Sequence, residues 1–174
     1  LNNLGAVLQS QGKLEDSILA YSKALRIKPN YWEAYFNIGR VRNEQGYLSK
    51  AIKAYTKAIS LKHDCAEAHR DLSFIKKFTE HDPQIQLLEK LIASPITPES
   101  EKCQYLYSLG KAYEDLGRFE SAFNQYYLGG KLRKKELSYN IKDDELLFKK
   151  IKKQSFTIYK HKPLEDISST DFTP

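Results

Sequence analysis

Apolar side chains recur along this chain at helical spacing, and the pattern then copies itself. Ile18, Tyr21, Ala24 and Leu25 fall on one side of a 3.6-residue period, and Ile52, Tyr55, Ala58 and Ile59 repeat them. Leu14, Leu48 and Phe119 open these segments, and Pro29 stops the first of them. Before each lies another apolar segment with a central glycine: Leu4-Gly5, Ile38-Gly39 and Leu109-Gly110. A mid-helix glycine costs about 1 kcal/mol relative to alanine. Its presence therefore predicts a neighbouring helix that approaches closely. Gly12, Gly46 and Gly117 end the first segments, where a residue with positive φ closes a helix at little steric cost. The elements predicted are pairs of helices with short turns.

The period is 34 residues, seen in Gly5 and Gly39, Gly12 and Gly46, Tyr21 and Tyr55, and Ala24 and Ala58. A third copy aligns Ala66-Glu67-Ala68-His69-Arg70-Asp71-Leu72-Ser73 with Trp32-Glu33-Ala34-Tyr35-Phe36-Asn37-Ile38-Gly39. A fourth runs through Leu106, Leu109-Gly110, Tyr113, Gly117, Ala122 and Tyr126. The step from Ser73 to Gly110 is 37 residues, so about three are inserted, and Ser94-Pro95-Ile96-Thr97-Pro98 is the expected place. The units are read as 1–31, 32–65, a degenerate 66–100, and 101–137. In the degenerate unit the second helix, 83–93, keeps only Ile85, Leu88 and Leu91 or Ile92. Gly129-Gly130, where alanine is expected, predicts a kink in the last helix.

These residues resemble the tetratricopeptide repeat, a 34-residue helix–turn–helix, over roughly residues 1–137. The resemblance implies an all-α fold, a right-handed superhelix (solenoid) of antiparallel helix pairs with no catalytic site of its own. It also implies a protein-interaction scaffold that binds a peptide or protein partner on its concave face. The inward positions correspond to Asn3, Phe36, Asn37, Arg40, Asn43, Asp71, Tyr107, Lys111 and Glu114. Asn3 and Asn37 share one place in successive units, and an asparagine offers a peptide backbone both a donor and an acceptor. A solvated helix face is the alternative for Asn37. The paired lysines that grip a terminal carboxylate in chaperone-binding repeats are absent, since Asn2 and Ala6 stand where lysine and asparagine are needed. The first unit opens in mid-pattern and the chain has no methionine, so a segment of a longer polypeptide is expected.

Charge alters the picture only at the end. Between residues 131 and 162 there are eleven Lys/Arg against four Asp/Glu, a local excess of +7 in a chain of net charge +6. A basic capping helix is expected over 138–160, with Asp143, Asp144 and Glu145 in its first turn, followed by a linker over 161–174 toward a missing downstream domain. Nucleic acid is argued against by low arginine content and the lack of an aromatic platform. No apolar run reaches the roughly 20 residues of a membrane span, and no membrane partner is expected. Cys65 and Cys103 read as reduced thiols of a cytoplasmic protein. His63, Cys65 and His69 match no zinc spacing, and neither metal nor cofactor is expected. Asp71 and His69 are candidate acid and base, but they form no recognisable triad.

A narrower resemblance spans about residues 66–148. It rests on Phe74-Ile75-Lys76-Lys77-Phe78, Asp82-Pro83-Gln84-Ile85, the run Leu109 to Gly117, Gly130-Lys131-Leu132-Arg133-Lys134, Tyr139-Asn140-Ile141, Asp144 and Leu147-Phe148. Together these resemble the repeat region that precedes the catalytic domain in bacterial repeat–sulfotransferase fusions. On that resemblance the chain docks substrate for a downstream sulfotransferase domain. No glycine follows Gly130, so the phosphate loop of such a domain is not within these residues.

Overall fold

Three of the four helix pairs turn on a glycine. In the computed structural model, which describes residues 1–138 and 140–161, α1 (Asn2–Ser10) and α2 (Leu14–Ile27) form the first pair, and α3 (Trp32–Glu44) and α4 (Leu48–Leu61) the second. After α5 (Ala66–Ile75) and α6 (Pro83–Ala93), α7 (Glu99–Asp115) and α8 (Phe119–Glu136) form the last. Gly12, Gly46 and Gly117 have φ of 73°, 77° and 73°. The next residue's N–H reaches back five positions in each turn, Lys13 to Leu8 O at 2.9 Å, Tyr47 to Arg42 O at 2.8 Å and Arg118 to Tyr113 O at 2.8 Å. This double closure satisfies carbonyls that the helix end would otherwise leave unpaired.

The mid-helix glycines answer a different need. A Cβ on Gly5, Gly39 or Gly110 would stand 2.5–2.6 Å from the ring of Tyr21, Tyr55 or Tyr126, the tyrosine of the following helix. Each ring lies flat against bare backbone, so the two helices approach more closely than any side chain at that position permits. Tyr21 and Tyr55 are fully buried. The Ser17 hydroxyl donates to Gly5 O at 2.8 Å, tying α2 to α1 where the side chain is missing.

Apolar packing runs from unit to unit as a chain of small cores. Ile18 and Tyr21 of α2 pack on Val41 and Ile38 of α3. Ala51, Tyr55, Ile59 and Ile52 of α4 pack on Ala68, Leu72 and Ile75 of α5. The third core joins Ala66, Phe78, Ile85, Leu88, Tyr105, Leu109 and Ala112. Stability in such an array is a sum of local interfaces rather than one central core.

The third pair departs from the rest. α5 packs on α4 and α7, α6 packs on α7, and α5 and α6 make no extended contact with each other. The extra residues lie mainly between them, at 76–82, and not at 94–98 as the prolines suggested. This seven-residue connection replaces the three-residue glycine turn of the other pairs. Phe78 plugs its ring into the third core, 2% exposed, and its N–H donates to Asp115 Oδ2 at 3.1 Å. Lys76 pairs with Asp82 at 2.6 Å, and Asp82 caps α6 by accepting from Gln84 N at 3.0 Å, with Pro83 in the first turn. Ile85 and Leu88 are buried as expected, while Leu91 and Ile92 are partly covered.

α8 continues as one helix through Gly129-Gly130, where a kink was expected, to Glu136. Gly129 is buried, and a Cβ there would meet Leu106 Cβ at 3.4 Å and Cys103 O at 3.5 Å. These are ordinary contact distances, so the packing against α7 does not itself require a glycine there. Residues from Leu137 onward form a separate unit, described as α9 (Ile141–His161), whose Asn140 Oδ1 accepts from Lys142 N at 3.1 Å. From residue 162 the expected linker lies outside the described residues. Among the described residues there is no strand.

Gly39→Ala places a methyl inside the Tyr55 ring, which is enclosed on all sides. Urea unfolding should show a loss of about 2 kcal/mol despite the gain in helix propensity. Gly39→Ala combined with Tyr55→Leu should recover part of that loss, whereas a purely local backbone effect would not respond to the second change.

Candidate functional site

A groove of about 270 Å³ opens where α1, α3, α4 and α5 meet, lined by Gln9, Arg40, Asn43, Glu44, Tyr55, Asp71 and Phe74. The 34-residue repeat explains the convergence. Arg40 and Phe74 occupy the same slot of successive units, one turn beyond Asn37 and Asp71. Side chains three and four apart share one helix face, so each first helix contributes a short row to the wall.

The polar groups of the groove differ in what they already hold. Glu44 Oε2 accepts from Gln9 Nε2 at 3.2 Å, bridging α1 and α3. Asp71 pairs with Arg70 at 2.8 Å. Arg40 sits 6.0 Å from the centre of the Phe36 ring and, among the described residues, has no carboxylate partner. Phe36 in turn lies 5.8 Å from Tyr55, ring to ring. Burial, followed by the Asp71 carboxylate, pushes the Tyr55 phenol far up, while Arg40 and Arg70 pull it the other way. Phe74 is 70% exposed, an aromatic side chain in open water at the groove edge.

Of the nine expected inward residues, the structure brings Arg40, Asn43 and Asp71 into this groove, with Phe36 beneath Arg40. Asn37 Nδ2 donates to Asn2 Oδ1 at 3.2 Å, a rung between units that occupies one of its amide groups. Asn3 lines a separate hollow of about 340 Å³ with Leu1, Asn2, Ala24, Ile27, Lys28 and Tyr31. The three residues on α7 have structural partners. Tyr107 packs 6.3 Å from Tyr126, Lys111 pairs with Asp115, and Glu114 accepts from the Tyr126 hydroxyl at 2.7 Å. Burial raises the Asp115 carboxyl, but the Lys111 and Phe78 hydrogen bonds outweigh it and hold the group below its ordinary value. Gln9, Glu44 and Phe74 were missed, although the 34-residue step from Arg40 marks Phe74.

His69 and Asp71 do not work together. The His69 ring is fully buried, edge-on to Tyr105 at 5.6 Å. Its Nε2 faces His63 O at 2.8 Å and its Nδ1 faces Gln84 Nε2 at 3.1 Å. The carbonyl requires a proton on Nε2, so Nδ1 accepts from the amide, and the neutral ring stitches α5 to α6 and to the loop before α5. Cys65 and Cys103 are free and buried. Burial pushes the Cys65 thiol up to about 11, away from the thiolate form that reacts. Among the described residues no cluster of His, Cys, Asp and Glu is placed to hold a metal ion, and no helix is long and apolar enough to cross a membrane.

The fold and the groove define an all-α solenoid of helical repeats, the architecture of a protein-interaction scaffold. Repeat families match parts of the chain: one described as TPR repeat matches residues 5–46, and one described as Tetratricopeptide repeat matches 33–65 and 104–128. The matched stretches flank residues 66–103, which hold the opened third pair. No curated protein matches the chain. Among solved structures it is similar to one titled "Crystal structure of MamA", with 27% identity over 79% of each chain and a TM-score of 0.61. A second, "Crystal structure of MamA protein", shares 26% over 80% of this chain and 74% of that one, with a TM-score of 0.59. MamA 41-end from Desulfovibrio magneticus RS-1, at 16% identity over 77% and 74% and a TM-score of 0.54, shares the fold alone.

Desolvation lowers the His69 pKa, with the His63 carbonyl opposing and Lys76 reinforcing the shift. An unfolded imidazole titrates near about 6.5, so the unfolded chain takes up this proton first as pH falls. The stabilisation is complete above that pH and is lost as pH falls from there toward the lower folded value. Urea melts should therefore weaken between pH 7 and pH 5, and His69→Gln should flatten that slope even if it lowers overall stability.

Proposed function

We propose that the groove walled by α1, α3 and α5 holds an extended peptide segment of a protein partner, gripping a carboxylate and an adjacent apolar side chain. One observation carries this reading. Arg40 presents a guanidinium with no carboxylate partner among the described residues, 6.0 Å over the Phe36 ring, in the same hollow as the exposed Phe74. An arginine fixed over a ring is pre-organised for a carboxylate, because little side-chain freedom is lost when it binds. Phe74 offers apolar area that water leaves unsatisfied. Asn43, exposed on the same wall, supplies both a donor and an acceptor for a peptide backbone.

A second reading, the substrate-docking region of a bacterial sulfotransferase whose catalytic domain lies downstream, draws on a particular set of residues. Phe78, Asp82, Pro83 and Gln84, which carry the narrower resemblance, build the joint that sets the third pair apart from an ordinary repeat. The coding sequence beyond residue 174 tests it. A strand followed by a glycine-containing phosphate loop within about thirty residues supports it, and any other continuation removes it.

Peptides selected from a random library on the whole chain test the groove. They should be enriched in an acidic residue beside an aliphatic or aromatic one. Arg40→Ala with Phe74→Ala should weaken them at least tenfold, roughly the 1.4 kcal/mol of one lost charged contact, by fluorescence anisotropy. Lys57→Ala on α4 should not. Both groove residues are exposed, so the thermal melt should stay in place. Unchanged affinity in the double variant would reject the groove.

A further inference from the structure

We propose that α9 is a surface-seeking helix that lies on an anionic lipid bilayer. Leu147, Phe148 and Ile151 share one arc of the helix and are 54%, 69% and 51% exposed. Lys149 and Lys150 lie on the remaining circumference and are exposed as well. The acidic residues all precede residue 146, with Asp143 and Asp144 in the first turn, where they complement the helix dipole. That turn stays in water, and the helix meets the surface from residue 147 onward. An apolar stripe, lysines around most of the remaining circumference (Leu146 also lies there) and low mean hydropathy are the marks of a helix that lies in the headgroup boundary rather than crossing it. Lysine stems then run along the apolar boundary and place their charge among the lipid phosphates.

Charge selects the occupant. From residue 146 to residue 161 α9 carries five lysines and no acidic residue, so the complementary partner is anionic and extended. A phosphodiester backbone would use the lysines but give nothing to Leu147, Phe148 and Ile151. Two copies joined along this stripe, parallel or antiparallel about its centre, would crowd Lys149 and Lys150 of both helices on the same rim. An anionic bilayer satisfies both features together. The absence of a spanning segment, from which no membrane partner was expected, does not bear on a helix that stays at the interface.

Co-sedimentation of the whole chain with vesicles decides the matter. The chain should pellet with phosphatidylcholine vesicles containing about 30% phosphatidylserine and stay in solution with phosphatidylcholine alone, and raising salt should weaken the binding. Phe148→Ser with Ile151→Ser, and separately Lys149→Glu with Lys150→Glu, should each reduce binding at least about tenfold while circular dichroism and the melt of the repeats stay the same. No binding to the anionic vesicles overturns the proposal. So does full binding by the Phe148/Ile151 variant, or equal competition by duplex DNA, either of which would reduce the surface to charge alone.

Discussion

A tyrosine ring lying flat on a glycine backbone is the contact on which the regular part of this structure depends. It occurs three times, at Gly5 with Tyr21, Gly39 with Tyr55 and Gly110 with Tyr126. The glycine forfeits helix propensity, about 1 kcal/mol each time. In return a large aromatic surface is buried against backbone and the interhelical distance is fixed within each pair. With that distance fixed, the next first helix can seat its aliphatic residues on the preceding second helix, as Val41 does on Ile18 and Tyr21. Pair geometry thus sets the step of the solenoid, and the step aligns the rows of groove residues.

The third pair shows what happens when that contact is missing. Ser73 stands where the glycine belongs and is buried, its hydroxyl spent on His69 O at 2.7 Å. No tyrosine ring rests on it, and α5 and α6 separate. Other groups fill the gap: Phe78 from the long connection, Tyr105 from α7 with its hydroxyl on Asp64 O at 2.7 Å, and the His69–Gln84 bond. The tyrosine-on-glycine contact is replaced here by an apolar plug together with a few specific polar bonds. These are individually modest, but they demand the correct protonation state and correct partners. The joint is therefore the part of the stack most sensitive to pH.

What could be read from the sequence divides along the same line. Helix pairs and their turns were legible because Gly, Tyr and Ala recur at a fixed step, and three positive-φ glycines leave little choice of conformation. The joint was not. Phe78 has no periodic counterpart, and its partners Asp115 and Tyr105 lie far along the chain, so nothing local announces that a loop phenylalanine is core. Ser94-Pro95 and Thr97-Pro98 carry stronger loop signals than residues 76–82 and drew the insertion to the wrong place. Gly129 was read through propensity alone, as a kink, whereas α8 continues through it as one helix. In the groove, register located Arg40, Asn43 and Asp71. It assigned Tyr107, Lys111 and Glu114 by the same rule, but their side chains are taken by neighbours that only the folded chain supplies.

Those engaged residues also explain why the wall is uneven. On α7 each polar side chain at an inward position closes a structural bond: Lys111 with Asp115, which holds the Phe78 N–H, and Glu114 with the Tyr126 hydroxyl. A ligand contacting them would first have to break those bonds, and their free energy would be subtracted from binding. On α3 and α5 the balance differs. Glu44 accepts a hydrogen bond from Gln9 and Asp71 is paired with Arg70, while Arg40 has no carboxylate partner among the described residues and Phe74 stays uncovered. Groups that fold without partners are the ones a ligand can satisfy at least cost. In a repeat array, where every unit offers nearly the same positions, it is this inequality of engagement, not the consensus, that sets the α3–α5 part of the wall apart from α7.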